Sequence, residues 1–121
     1  MKIAIIGYGK MGKTIERLAV EKGHSIILKT NEPVSASVEI LKQADVAIEF
    51  TMPEASPENI KVCIEAGIPV VSGTTGWLKE YWKDVTDFCN EKNGAFLYAS
   101  NFSIGVNIFF EINKRLAMLM N

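Results

Sequence analysis

Short, wholly apolar runs alternate along this chain with longer stretches whose apolar residues recur every three to four positions. Ile3-Ala4-Ile5-Ile6 predicts a buried strand over about 2–6, and Met11, Ile15, Leu18 and Ala19 then share one face of a helix over about 10–22. Gly23 is the stop for that helix. The pattern repeats: a strand at 25–29, turn formers from Asn31, a short helix at 37–43, and a strand at 46–50. Pro57 and Glu58 suit the first turn of a helix at 56–66, with Gly67 as its end. A strand at 69–72, a long helix at 78–92, a strand at 95–99 and a helix from about Gly105 complete the reading. Strands apolar on both faces, each followed by a single helix, predict an α/β fold. It is a doubly wound parallel sheet of about five strands, in one domain of 1–121.

In such sheets ligands bind beyond the carboxyl ends of the strands. Four of the five strand ends here carry small or polar residues: the turn at Gly7, then Thr51, Gly73-Thr74-Thr75-Gly76, and Ser100-Asn101. The first has Gly7, Gly9 and Gly12 in the spacing of a dinucleotide-binding turn, directly after a strand and opening a helix. Gly7 allows a sharp turn, Gly9 allows the backbone to approach a pyrophosphate, and Gly12 allows the helix to pack closely on the sheet. The unpaired N–H groups at the helix start attract phosphate. A tight turn without a ligand is the plainer alternative. The acidic residue expected about 20 positions on, against the adenosine ribose, is Glu32. A carboxylate there favours NADH over NADPH, although Lys10 and Lys29 are placed to attract a 2′-phosphate and Pro33 leaves a plain surface turn open.

Composition excludes several classes. The 121 residues include 13 Lys and Arg against 14 Asp and Glu, a net charge of −1 that gives no footprint for nucleic acid. No apolar stretch approaches the roughly 20 residues of a membrane span, and the apolar start is too short for a signal core, so a cytoplasmic location is expected. Cys63 and Cys89 lack the spaced partners of a metal site and are expected as free, buried apolar groups. His24, the one histidine, follows Gly23 and suits a cap or surface role.

Four segments together are more specific than any alone: Gly7-Tyr8-Gly9-Lys10-Met11-Gly12, Asp45 to Thr51, Gly73-Thr74-Thr75-Gly76, and Asn101-Phe102-Ser103-Ile104-Gly105-Val106-Asn107. In this order and spacing they resemble the N-terminal domain of the 4-hydroxy-tetrahydrodipicolinate (dihydrodipicolinate) reductases of lysine and diaminopimelate synthesis. The resemblance covers essentially the whole chain. It implies that Gly7, Tyr8, Gly9, Lys10, Met11 and Gly12 hold a pyrophosphate, and that Phe50 and Thr51 border the stretch from adenosine to nicotinamide. It places Gly73, Thr74 and Thr75 against the nicotinamide, and Ala99, Ser100, Asn101 and Phe102 around its edge. Thr75 is the residue implied to touch a substrate carboxylate, with helix capping as its plainer alternative.

The family's histidine pair, lysine and Gly-Thr segment have no counterpart here, because no histidine follows His24. The resemblance therefore implies a cofactor domain without catalytic residues of its own, whose substrate and tetramerisation domain lies elsewhere. The apolar helix of 108–120, with no stop signal, carries the same expectation of partners beyond the chain. Two alternatives remain at this level: the cofactor domain of another NAD(P)-dependent dehydrogenase, and a stand-alone nucleotide-binding or redox-sensing module.

Overall fold

The computed structural model describes residues 1–99. Five parallel strands, β1 (Lys2–Ile6), β2 (Ser25–Thr30), β3 (Val46–Glu49), β4 (Val70–Ser72) and β5 (Phe96–Tyr98), form one sheet in the order β2-β1-β3-β4-β5. All four pairings are parallel, with Ile5 opposite Ile48 and Glu49 opposite Ser72. Both β2 and β3 neighbour β1, so the chain reverses its winding direction there. The gap between the carboxyl ends of β1 and β3 is the topological switch point.

Residues of β1 alternate between two cores, as a strand covered on both faces requires. Ile3 and Ile5 pack with Ile15 and Ala19 of α1 (Lys10–Glu21), together with Val46 and Ile48. Ala4 and Ile6 face the other way. Their core takes in Leu41 of α2 (Val38–Leu41), Ile60, Cys63 and Ile64 of α3 (Ser56–Glu65), and Val85 of α4 (Leu78–Glu91). The wholly buried Trp77 pins the start of α4 to β5, with ring centroids 5.9 Å from Phe96 and 6.2 Å from Tyr98. Burying one such indole contributes about 2–3 kcal/mol from area alone.

Several boundaries differ from the sequence expectation for local reasons. The short helix expected at 37–43 is a 3-10 turn over Val34–Ser37 followed by one α-turn, because Pro33 fixes the entry and Val34 is buried. Met11 is exposed and Leu18 only half-buried, so α1 buries the narrower set Gly12, Ile15 and Ala19. Cys89 is half-buried where a buried group was expected, while Cys63 is fully buried. Both thiols are free. His24 lies next to the chain's amino terminus, with 3.0 Å between Nδ1 and the Met1 nitrogen. Burial first, and then that ammonium charge, hold its pKa below the ordinary value. Ser100, Asn101, Phe102 and the helix expected from Gly105 lie outside the described residues.

Candidate dinucleotide cleft

The switch point is built around glycines. Gly7 leaves β1 with φ +95°, a conformation that side chains resist, and its N–H donates to the Thr30 carbonyl at 2.7 Å. A Cβ on Gly7 would run into the Phe50 carbonyl oxygen, and a Cβ on Gly12 into the carbonyl of Gly7. These two glycines therefore fix the contact of β1 with β3 and of α1 with the turn. Gly9 differs: it is the N-cap of α1, is exposed, and a Cβ there would meet nothing within 4 Å. No side chain caps α1, so the N–H groups of its first turn face outward without a protein partner of that kind.

Gly7 and Gly9 open onto a cleft of about 460 Å³, within the range of small-molecule sites. Of the residues singled out from sequence, it brings Gly7, Gly9, Glu32, Phe50 and Thr51 onto one wall system. Asn31, Pro33, Met52, Ala55, Glu58 and Asn59 complete the lining. Glu32 sits just past β2, its N–H held at 2.9 Å by the Thr30 hydroxyl and its side chain exposed. Asn31 was missed by sequence reasoning: its Oδ1 accepts the Tyr8 N–H at 2.7 Å and ties the glycine turn to β2. Buried Asn59 was missed as well, and its Oδ1 accepts the Val34 N–H at 3.0 Å. An asparagine directly after a strand and opposite the glycine turn is a signal that could have been read; Asn59, inside a helix, offered none.

Other expected residues lie outside the lining. The half-buried Tyr8 turns toward α1, where its hydroxyl donates to Glu16, and the Lys29 ammonium donates to the second oxygen of Glu16 at 2.9 Å. The Tyr8 hydroxyl and then the Lys29 ammonium hold the Glu16 carboxyl below its usual range. Lys29 is raised, first by its bond to Glu16 and then by that charge, and the same carboxylate raises Tyr8. Lys29, considered above as an anchor for a 2′-phosphate, is thus engaged by a carboxylate. Lys10 and Met11 are exposed on the first turn of α1.

Gly73, Thr74 and Thr75 follow β4, and Ala99 follows β5, with Thr75 exposed and Thr74 and Ala99 buried. Thr75 does not cap α4, which starts at Leu78 with Trp77 in the N-cap position. The Thr74 hydroxyl is engaged inward, donating at 2.7 Å to Glu49. Glu49 itself escaped the sequence reading. It is the last residue of β3, fully buried, and its carboxylate accepts donors from Thr51, Ser56, Ser72 and Thr74. A lone carboxylate ending an apolar strand was the available signal.

Among the described residues no group of acidic, histidine and cysteine side chains could hold a metal ion, and no helix is long and apolar enough to cross a membrane. What the arrangement can do is accept an extended, phosphate-bearing ligand. An open helix start, the Glu32 carboxylate and the loop of Thr51 lie along one cleft.

Comparison with known proteins bears on the fold and on the family. A solved structure of a hyperthermophilic archaeal homoserine dehydrogenase in complex with NADPH superposes with a TM-score of 0.65 at 18% identity, over 82% of this chain and 43% of that one. A putative homoserine dehydrogenase from Archaeoglobus fulgidus gives 0.66 at 16% identity, over 81% and 42%. At these identities the likeness is one of fold. The 4-hydroxy-tetrahydrodipicolinate reductase of Christiangramia forsetii is 47% identical over 120 residues, which cover 99% of this chain and 50% of that protein. That of Neisseria meningitidis serogroup A is 32% identical over 144 residues, covering 100% and 53%. The chain thus spans about half the length of these curated relatives. A family model described as dihydrodipicolinate reductase, N-terminus, matches residues 1–102, and the chain belongs to that family.

Proposed function

We propose that this chain is the NAD(P)H-binding part of a 4-hydroxy-tetrahydrodipicolinate reductase, working in lysine and diaminopimelate biosynthesis. The observation that carries the reading is Gly9, an open N-cap at the switch point between β1 and β3, free of any neighbour within 4 Å of a Cβ. The pyrophosphate would lie on residues 7–12 at the start of α1. The adenosine ribose would meet Glu32, and the nicotinamide would lie toward Thr51 and the turn of Gly73, Thr74 and Thr75. Glu32 on the cleft favours NADH, since a carboxylate repels a 2′-phosphate. The engagement of Lys29 by Glu16 supports the same preference.

When bound, the reduced nicotinamide supplies a hydride to the conjugated imine of a cyclic dicarboxylate, formed from 4-hydroxy-tetrahydrodipicolinate by loss of water. This chain's residues bind and orient. The backbone groups of the 73–75 turn would hold the carboxamide and so orient the ring toward the substrate. The exposed Thr75 is placed to hold a substrate carboxylate. The groups that protonate the product belong to a second domain, which would also make the contacts of a homotetramer. On this reading residues 1–121 bind cofactor but do not turn over substrate, and the enzyme works in the cytoplasm.

Calorimetric titration of the chain with NADH and then NADPH tests the reading. Saturable binding is expected, tighter for NADH, and Gly9→Val should abolish most of it by occupying the pyrophosphate path. Glu32→Ala should weaken NADH more than NADPH. A folded chain that binds neither cofactor, or a Gly9→Val variant that binds as before, would remove the assignment.

A further inference from the structure

Resting on the cleft reading above, we propose that Glu49 is the positioning residue of the cleft's nicotinamide end. Through its carboxylate it sets the backbone at Thr51 and the turn of Gly73 to Thr75 as one rigid unit.

The two oxygens of Glu49 have different partners. Oε1 faces inward and accepts the hydroxyls of Ser56 at 2.7 Å and Ser72 at 2.6 Å, both side chains fully buried. Oε2 faces the ligand loops. It accepts the Thr51 N–H at 2.9 Å, the Thr51 hydroxyl, and the Thr74 hydroxyl at 2.7 Å. One buried carboxylate at the end of β3 thus gathers five donors, from the end of β4, the start of α3 and the loops after both strands. None of the ion pairs among the described residues involves it. For folding alone this is an expensive solution, because a buried charge costs more than an apolar side chain of the same size.

A carboxylate does something no apolar residue can. It is acceptor-only, so every hydroxyl that meets it must donate. The Thr74 hydroxyl, with its proton committed to Oε2, must use a lone pair elsewhere, and it takes the Thr51 N–H at 2.8 Å. The direction in which each hydroxyl of the network donates is therefore dictated by Glu49. Apolar contacts close the same seam: the Phe50 ring lies against Gly73, where a Cβ would collide with it, and a Cβ on Gly76 would stand 3.0 Å from Pro53. The two loops are held at three successive levels, with the carboxylate behind the middle one.

The test compares two ligands on this chain, NADH and ADP-ribose, which lacks the nicotinamide. Glu49→Gln keeps the shape but places a donor where an acceptor-only atom stood, so one bond must reverse or break. Thr74→Val removes the hydroxyl without changing its size, and the pair Thr74→Val and Thr74→Ser decides the matter if Glu49→Gln does not fold. Expected are a loss of about tenfold in NADH affinity for Glu49→Gln and for Thr74→Val, the worth of one charge-assisted hydrogen bond. ADP-ribose affinity should stay within about twofold, and Thr74→Ser should retain NADH binding. Parallel losses for both ligands, unchanged NADH binding, or failure of Thr74→Ser to restore it would overturn the proposal. An unsubstituted chain that binds ADP-ribose as tightly as NADH would overturn it while leaving the cleft. A folded chain that binds neither ligand would remove the cleft reading and this proposal with it.

Discussion

The two ends of the cleft are built on opposite principles. At the end of β1 the turn works by leaving atoms out: Gly7 and Gly12 allow backbone to touch backbone, and Gly9 keeps an approach open. At the ends of β3 and β4 it works by adding polar atoms to the interior, where Glu49 satisfies four side chains' worth of hydroxyls and a backbone N–H. Phosphate is bound by any well-oriented set of N–H groups, so the first end needs only space and a helix start. A planar ring presented to a second substrate needs a defined orientation, and a network with fixed bond directions provides it.

The largest effects should fall on the second end. Glu49→Ala leaves a cavity and strands the buried hydroxyls of Ser56 and Ser72, a loss on the order of 4 kcal/mol in urea unfolding. A loss below about 1 kcal/mol would mean that water replaces the carboxylate and the end is not rigid. At the first end two neighbouring glycines should part company. Gly7→Ala sets a Cβ against the Phe50 carbonyl at φ +95° and should cost about 3 kcal/mol. Gly9→Ala has open space and should cost less than about 1 kcal/mol. Similar losses for the two would break the distinction between a glycine that shapes the fold and one that leaves room for a ligand.

The same contrast explains what could be read from the chain. The five-stranded parallel sheet was legible because apolar period and glycine spacing are local signals. The glycine turn was legible for that reason, and Glu32 because its distance from Gly12 is set by one helix and one strand. The network around Glu49 was not, since its members at 49, 51, 56, 72 and 74 come together only through strand pairing, Glu49 opposite Ser72. Thr74 was singled out correctly as lying at a strand end, yet its hydroxyl serves Glu49 instead of facing outward. The short helix expected at 37–43 is present as α2 but trimmed, because Pro33 and the buried Val34 draw the chain into a tighter turn first.

Cysteine chemistry offers a smaller test of how closed the interior at the second end is. Burial, and then the charge of Glu49, push the Cys63 thiol up to about 12, while Cys89 is raised by a lesser burial alone. At neutral pH an alkylating reagent should modify Cys89 in the folded chain and reach Cys63 only after denaturation, as read by mass spectrometry of the peptides. Equal labelling of both would show that α3 opens readily above the carboxylate network.

The smallest effect belongs to the first end, where a carboxylate also meets a hydroxyl but on the surface. Glu16 accepts from Tyr8 and from Lys29, and both keep its carboxyl below the ordinary 4.5. Because the folded value lies below the unfolded one, the unfolded chain binds more protons in acid. The stabilisation is therefore complete above 4.5 and is lost as pH falls through the folded value. Half-exposed Lys29 and solvent around the pair keep the gain modest and sensitive to salt. Urea midpoints of the unsubstituted chain and of Glu16→Gln should differ slightly at neutral pH, converge in acid, and lie closer together in concentrated salt. A gap that persisted unchanged from neutral pH into acid would assign the loss to packing of the Tyr8 ring and not to charge. The glycine turn would then rest, like the opposite end of the cleft, on a contact that solvent does not weaken.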